Sequence, residues 1–328
     1  MKICIVGAGA IGGMLGTRLA LHGTTQVSAL ARGDTLQALR SHGWRMGTAQ
    51  GLLQCAATAS DSAADLGVQD LVIITVKGQA LAALAPQLAP LLGPNTLVMP
   101  AMNGVPWWFC QHLPAFADAP LQSLDPDNTI GQAIALERVV GCVVHASAAT
   151  SEPGWVQHRM GQGLIVGLAT GGQDPRVQAI ADVLAQAGFD VTHSGHIRQD
   201  IWYKLWGNLT MNPISAMTGA SADLILGDPL VRSFCADAML EASAIGTLLG
   251  CPIDQSPEDR QQITAKLGAF KTSMLQDAEA GRSLELDAIV TAVQEIGTRL
   301  AVPTPNINAL LGLTRLFARV HGLYPKES

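Results

Sequence analysis

The chain is poor in aromatic residues, at 4%, and in charged ones, at 14%. It has no long run of lysine or arginine, and 26 acidic residues outnumber 20 basic ones, for a net charge of −6. Nucleic acid is therefore not expected as a partner, because a phosphate backbone selects basic surfaces. A basic helix lying on a membrane surface is excluded on the same ground. No apolar run is long enough to span a bilayer: LVIITV at 71–76 is too short, and Pro86 and Pro90 interrupt the Ala/Leu stretch at 81–92. The six cysteines, at 4, 55, 110, 142, 235 and 251, include no Cys-x-x-Cys pair. Zinc and thioredoxin-type sites lack support, and no metal is expected. Free thiols in a reducing, cytoplasmic setting are the expectation.

What the sequence does have is small and apolar. Its 328 residues are 48% hydrophobic and include 34 glycines. The length suits two domains, and the apolar content excludes intrinsic disorder. The start ICIVGAGA superficially matches a signal peptide, with Ala8-Gly9-Ala10 offering a small-residue cleavage pattern. Glycines at fixed offsets fit a nucleotide loop better.

Periodicity divides the chain in two. Strands are expected at 2–6, 27–30, 71–76 and 96–99, with helices at 12–22 and 80–92 between them. That βαβ order implies a parallel sheet covered on both faces. Further strands are expected at 139–148 and 189–192, with a hairpin turning at Gly161-Gln162-Gly163 and a helix at 175–187. Beyond about 197 only helical patterns are evident, at 199–211, 228–249, 257–279, 284–300 and 305–320. The expected organisation is an α/β domain over 1–195 and an all-helical domain over 196–328.

The first motif with chemical content is Gly7-Ala8-Gly9-Ala10-Ile11-Gly12, a G-x-G-x-x-G between an expected strand and an expected helix. Gly7 permits the tight turn, Gly9 admits a pyrophosphate to the backbone, and Gly12 lets the helix approach the sheet. The helix N-terminus then meets the phosphates with unpaired N–H groups. The second strand ends in Ser28-Ala29-Leu30-Ala31-Arg32-Gly33, without the acid that usually holds the ribose 2′-hydroxyl of NAD. Arg32 can pair with a 2′-phosphate, and Lys77 adds a second positive charge after the 71–76 strand, so NADPH is the expected cofactor.

The helical half carries Lys204, Asn208 and Asn212 at i, i+4 and i+8, on one helix face. Such a stripe is either solvated or, if buried, costly without partners. A buried lysine is a usable general acid. Ser273 and Asp277 lie one turn apart. Glu285 opens the next helix, where it either complements the helix dipole or orients Lys204. Asn103-Gly104 follows the fourth strand at the sheet edge where ligands bind in open α/β folds, and is otherwise a plain turn.

In order along the chain, these residues resemble the ketopantoate reductases (2-dehydropantoate 2-reductases). The resemblance rests on Gly7-x-Gly9-x-x-Gly12, Lys77, Asn103-Gly104, and Trp202-x-Lys204-Leu205 with Asn208 and Asn212-Pro213. It continues through Ser273-Met274-Leu275-Gln276-Asp277, Glu285-x-Asp287 and Val302-Pro303-Thr304-Pro305. It implies an α/β Rossmann-type N-terminal domain and an all-α C-terminal domain like that of 6-phosphogluconate dehydrogenase. It further implies NADPH-dependent reduction of a 2-oxo acid, ketopantoate to pantoate, in pantothenate biosynthesis. Lys204 matches the general acid, and Glu285 the acid that fixes Lys204 and the substrate hydroxyl. Ser273 matches a substrate-carboxylate contact. Asn103, Asn208 and Asn212 match polar groups around substrate and nicotinamide. Gly7 to Gly12, Arg32, Lys77 and Asn103 make up the cofactor set.

Two features depart from the pattern. Phe270 stands three residues before Ser273, where the family carries Asn, and Trp107-Trp108-Phe109 follows close on Asn103-Gly104. They motivate an alternative, a bulkier 2-oxo acid in a reshaped pocket. A non-catalytic NADPH sensor is a third reading, opposed by the intact Lys204 and Glu285. Apolar helical surface is compatible with a homodimer of unspecified geometry.

Overall fold

The computed structural model describes residues 1–117 and 119–325. Contacts divide the chain into two compact units: Met1–Met102 with Asp127–Asp200, and Asn103–Pro126 with Ile201–Ser328. An uninterrupted domain over 1–195 is thus not how the chain sorts itself. Residues 103–126 join the helical unit because they supply its core: Trp107, Trp108 and Phe109 are 3%, 0% and 0% exposed. Phe109 stacks on Trp202 with ring centroids 5.7 Å apart.

The first unit opens with β1 (Lys2–Val6), α1 (Ala10–Leu21), β2 (Gln26–Leu30) and α2 (Gly33–His42). Then come β3 (Trp44–Thr48), β4 (Gly51–Cys55), β5 (Thr58–Ser60), α3 (Ala63–Leu66), β6 (Gln69–Ile74), α4 (Gly78–Leu84) and β7 (Leu92–Pro100). The strands β5-β2-β1-β6-β7 form one sheet, parallel throughout. That order follows the first five positions of the Rossmann 3-2-1-4-5-6 sheet. β1 is central, and Ile3, Cys4 and Ile5 are fully buried in it, as a strand covered on both faces requires. The expected helix at 80–92 is only half α. From Ala85 to Leu91 the chain is 3-10, since Pro86 and Pro90 lack the N–H that α-helical bonding needs.

After residue 126 the unit resumes with α5 (Thr129–Ala133), β8 (Val140–Glu152), β9 (Trp155–Leu168), α6 (Pro175–Gln186) and β10 (Asp190–His193). The second sheet runs β10-β9-β3-β4, with β8 antiparallel to β9. The hairpin expected to turn at 161–163 turns instead at Pro153-Gly154, and 155–168 is one strand. Gly161, at φ +72°, takes up an irregular register, between His145 opposite Gly163 and Ser147 opposite Met160. A glycine in this conformation makes a bulge as readily as a turn.

The remaining elements are α7 (Ile197–Thr218), α8 (Ala222–Gly227), α9 (Pro229–Leu248), α10 (Pro257–Ala265) and α11 (Ser273–Glu279). A π-helical turn (Asp287–Thr291), α12 (Ala292–Arg299) and α13 (Pro305–Val320) complete the chain. Among the described residues no strand follows β10. The expected helix at 257–279 is two, separated around Gly268 at φ +63°. α7 is bolted to α9 on its apolar face. Trp202 Nε1 donates to Ala242 O at 3.2 Å, and Trp206 Nε1 donates to Met239 O at 2.7 Å.

Candidate active site

In the first unit, β1 enters the glycine loop and α1 leaves it. Gly7 has φ +92°, a conformation that costs a glycine little. A Cβ on Gly12 would collide with Gly7 O and Thr75 Oγ1, so this glycine sets the approach of α1 to the sheet. Thr75 Oγ1 donates to Gly7 O at 2.5 Å and holds the turn from β6. A Cβ on Gly9 would meet nothing within 4 Å. Gly9 is the N-cap of α1, which has no side-chain cap and no acid in its first turn. Open space over an uncapped helix start suits an anion.

A cleft of about 230 Å³ lies over this loop, lined by Gly7, Ala8 and Gly9, by Leu30, Ala31, Arg32 and Thr35, and by Val76 and Gln87. Arg32 is exposed and is the N-cap of α2. Loop, helix start and arginine together fit a dinucleotide bearing a 2′-phosphate. Ala10, Ile11 and Gly12 belong to α1 but do not line the cleft, and neither does Lys77, the N-cap of α4. The cleft adds Asp61, which follows β5 directly. The sequence reading missed that acid because β5 itself went unread.

The residues expected on the substrate side all fall in the second unit. Lys204, Asn208 and Asn212 share α7, and the first two are half-buried. Lys204 Nζ donates to Asn103 Oδ1 at 2.7 Å. Asn103 thus joins the lysine, although the chain reaches it from the end of β7. Its neighbour Gly104 has φ +82°, and a Cβ there would lie 2.5 Å from Ala288 O. Val105 N–H donates to that same oxygen at 2.7 Å. Only glycine lets the Asn103 segment lie so close to the π-helical turn.

Asn212 is 4% exposed, and its Nδ2 has no hydrogen-bond partner among the described residues. An amide donor this buried costs on the order of 1–3 kcal/mol unpaired, and a ligand oxygen would satisfy it. Ser273 is exposed at the first position of α11, whose cap is Thr272, accepting from Leu275 N at 3.1 Å. The Asp277 carboxylate is engaged by Arg282 Nε at 2.8 Å. Glu285 is half-buried in irregular backbone just before the π-helical turn, and does not stand in the first turn of a regular helix.

The bulky departures do not form an exposed rim. Trp107, Trp108 and Phe109 are core, and Phe270 packs on the cluster of Met211, Ile214, Ile225 and Leu226. Among the described residues no three His, Cys, Asp or Glu side chains gather to hold a metal. No helix there is long and apolar enough to cross a membrane.

Fold and site define an NADP-dependent oxidoreductase of the Rossmann-type class with a helical second domain. The chain belongs to the ketopantoate reductase family. Residues 3–171 match "Ketopantoate reductase PanE/ApbA", and residues 196–318 match its C-terminal counterpart. It is 40% identical to a 2-dehydropantoate 2-reductase of Mesorhizobium japonicum, covering 99% of this chain and 100% of the relative. A crystal structure from Ralstonia solanacearum MolK2, provisionally named a ketopantoate reductase, is 51% identical with a TM-score of 0.94. That match covers 98% of this chain and 99% of the other. A D-mandelate dehydrogenase shares the fold at 20% identity, with a TM-score of 0.85 over 98% of this chain and 100% of its own.

Proposed function

We propose that the protein reduces the C2 ketone of ketopantoate with NADPH, giving pantoate. The observation that carries this reading is the half-buried Lys204, held at 2.7 Å by Asn103. Bound NADPH supplies the hydride. Gly7, Gly9 and the start of α1 receive its pyrophosphate, and Arg32 pairs with the 2′-phosphate, with Lys77 adding positive charge. As the carbonyl oxygen gains negative charge, the Lys204 ammonium stabilises it and delivers a proton to it. Asn103 orients Lys204 by accepting a hydrogen bond from its ammonium. Glu285 steadies Lys204 and the substrate hydroxyl, and Ser273 takes the substrate carboxylate. Asn208 and Asn212 offer amides to the remaining substrate oxygens, which gives the unpaired Asn212 Nδ2 its partner.

Trp107 and Trp108 lie in the core and the half-buried Phe270 packs against the Met211 cluster, which weakens the case for a bulkier acid. A panel of 2-oxo acids tests this, read as loss of NADPH absorbance. Ketopantoate should give the highest kcat/KM by a wide margin, and NADH should be a poor substitute. A bulkier acid outperforming it would overturn the substrate assignment.

The reading extends to a cytoplasmic homodimer. The exposed Leu313, Leu316 and Val320 on α13 support self-association, and a Staphylococcus aureus relative is named as a dimeric ketopantoate reductase. The absence of a disulfide among the described residues agrees with a reducing compartment. A monomer mass by light scattering, or activity outside the cytosolic fraction, would count against it.

A further inference from the structure

Glu285 stands in irregular backbone, between Gly281 and the π-helical turn. It lies outside any helix or strand, so whatever grips its neighbours helps to set its position. The end of the chain does so. After α13, Leu323 N–H donates to Ala318 O at 2.7 Å and closes a turn, with Leu323 itself 5% exposed.

Hydrogen bonds at Leu284 and at Asp287 link this turn to the Glu285 segment. Leu284 N–H donates to Leu323 O at 2.9 Å. Tyr324 Oη donates to Asp287 Oδ1 at 2.5 Å. One grips the residue before Glu285 and the other grips two residues after it. The same Asp287 oxygen accepts from Thr291 Oγ1 at 3.2 Å, tying the grip into the π-helical turn. Arg319 steadies the turn from α13: its guanidinium lies 5.8 Å from the Tyr324 ring centroid, and its Nε donates to Pro325 O at 3.3 Å. Burial, and next the hydrogen bond and charge of Asp287, push the Tyr324 phenol well above its ordinary range, so it remains a donor.

We infer that the C-terminal turn is a clasp on the Glu285 segment, with Tyr324 and Asp287 as positioning residues for turnover. The inference rests on the role given to Glu285 above. Small displacements of a reacting group cost rate steeply, even when caused from outside the site.

The test starts from Tyr324→Phe, which removes one hydroxyl. With ketopantoate and NADPH, kcat should fall about tenfold while the Kd for NADPH, read by fluorescence, stays unchanged. Asp287→Ala should repeat the loss. Asp287→Asn retains an acceptor oxygen for Tyr324 and should recover most of the turnover. The decisive comparison is made in a Glu285→Gln background, where Tyr324→Phe should lower the residual turnover no further. An equal loss in both backgrounds would mean a merely structural contribution and would overturn the clasp. So would full turnover in Tyr324→Phe while Glu285→Gln is impaired. Full turnover in Glu285→Gln alone would overturn the role of Glu285, and the clasp with it.

Discussion

The two units build their sites from different materials. In the first, recognition is mostly main chain: glycines that must lack a side chain, a helix start without a cap, and one arginine. In the second, the candidate groups are side chains from several elements: Lys204, Asn208 and Asn212 on α7, Asn103 after β7, Ser273 on α11 and Glu285 before the π-helical turn. A backbone site is written in spacing, because the geometry of one turn fixes it. A side-chain site is written in tertiary structure, because each group depends on a different neighbour.

The sharpest way to break this comparison is at Lys204. Lys204→Ala should lower kcat by about 100-fold to 10,000-fold, the range for loss of a general acid. NADPH affinity, measured by titration calorimetry, should be unaffected. A parallel loss of NADPH binding would mean that the division of labour between the units is not real.

Next in size is Arg32→Ala. Loss of a charge-assisted pair with the 2′-phosphate should weaken NADPH binding about tenfold to 100-fold. NADH binding should change little, and an equal loss for both cofactors would remove the arginine from cofactor choice. Asp61, on the same cleft, makes this measurement informative about selectivity.

The glycines divide the first site more finely. Gly9→Ala adds a methyl group into open space, so melting temperature should hold while NADPH affinity falls about tenfold, since the methyl occupies the pyrophosphate's approach. Gly12→Ala drives a Cβ against main chain and should lower stability as well, by about 1–3 kcal/mol. Identical melting curves for the two variants would contradict the packing role of Gly12.

The smallest effect concerns alkaline pH. Burial pushes the Cys4 and Cys235 thiols up to about 11 from an ordinary 9.0. A folded value above the unfolded one means the contribution is whole below about pH 9 and is lost as pH rises toward about 11. Denaturant midpoints should therefore decline across that window. Cys4→Ala, which cannot ionise, should flatten part of the decline, and an unchanged slope would exclude Cys4 as its source.

The Rossmann half was largely legible. β1, α1, β2, β6 and β7 follow from short apolar runs punctuated by glycine and turn residues. β3, β4 and β5 did not, because 44–60 mixes polar, small and apolar residues without alternation. Missing β5 also hid Asp61. Gly161-Gln162-Gly163 looked like a turn because the positive φ that Gly161 adopts serves bulges and turns alike. In the helical half, Lys204, Asn208 and Asn212 announced themselves by spacing on one face. The partnership of Lys204 with Asn103 could not, since about a hundred residues separate them. Trp107-Trp108-Phe109 shows the opposite error, in which bulk near a motif suggested a pocket wall and proved to be core. Tyr324 carried no local signal, since its meaning lies in a bond to Asp287.

The assignment of 103–126 to the helical unit bears on how the chain emerges from the ribosome. Trp107, Trp108 and Phe109 are made about ninety residues before Trp202, on which Phe109 stacks. At bacterial or eukaryotic elongation speeds that is an interval of roughly five to twenty seconds. Throughout it, three large apolar rings lack the helices that will cover them. This stretch is the natural place for a chaperone to hold the nascent chain, and fragments ending near residue 200 should aggregate through it.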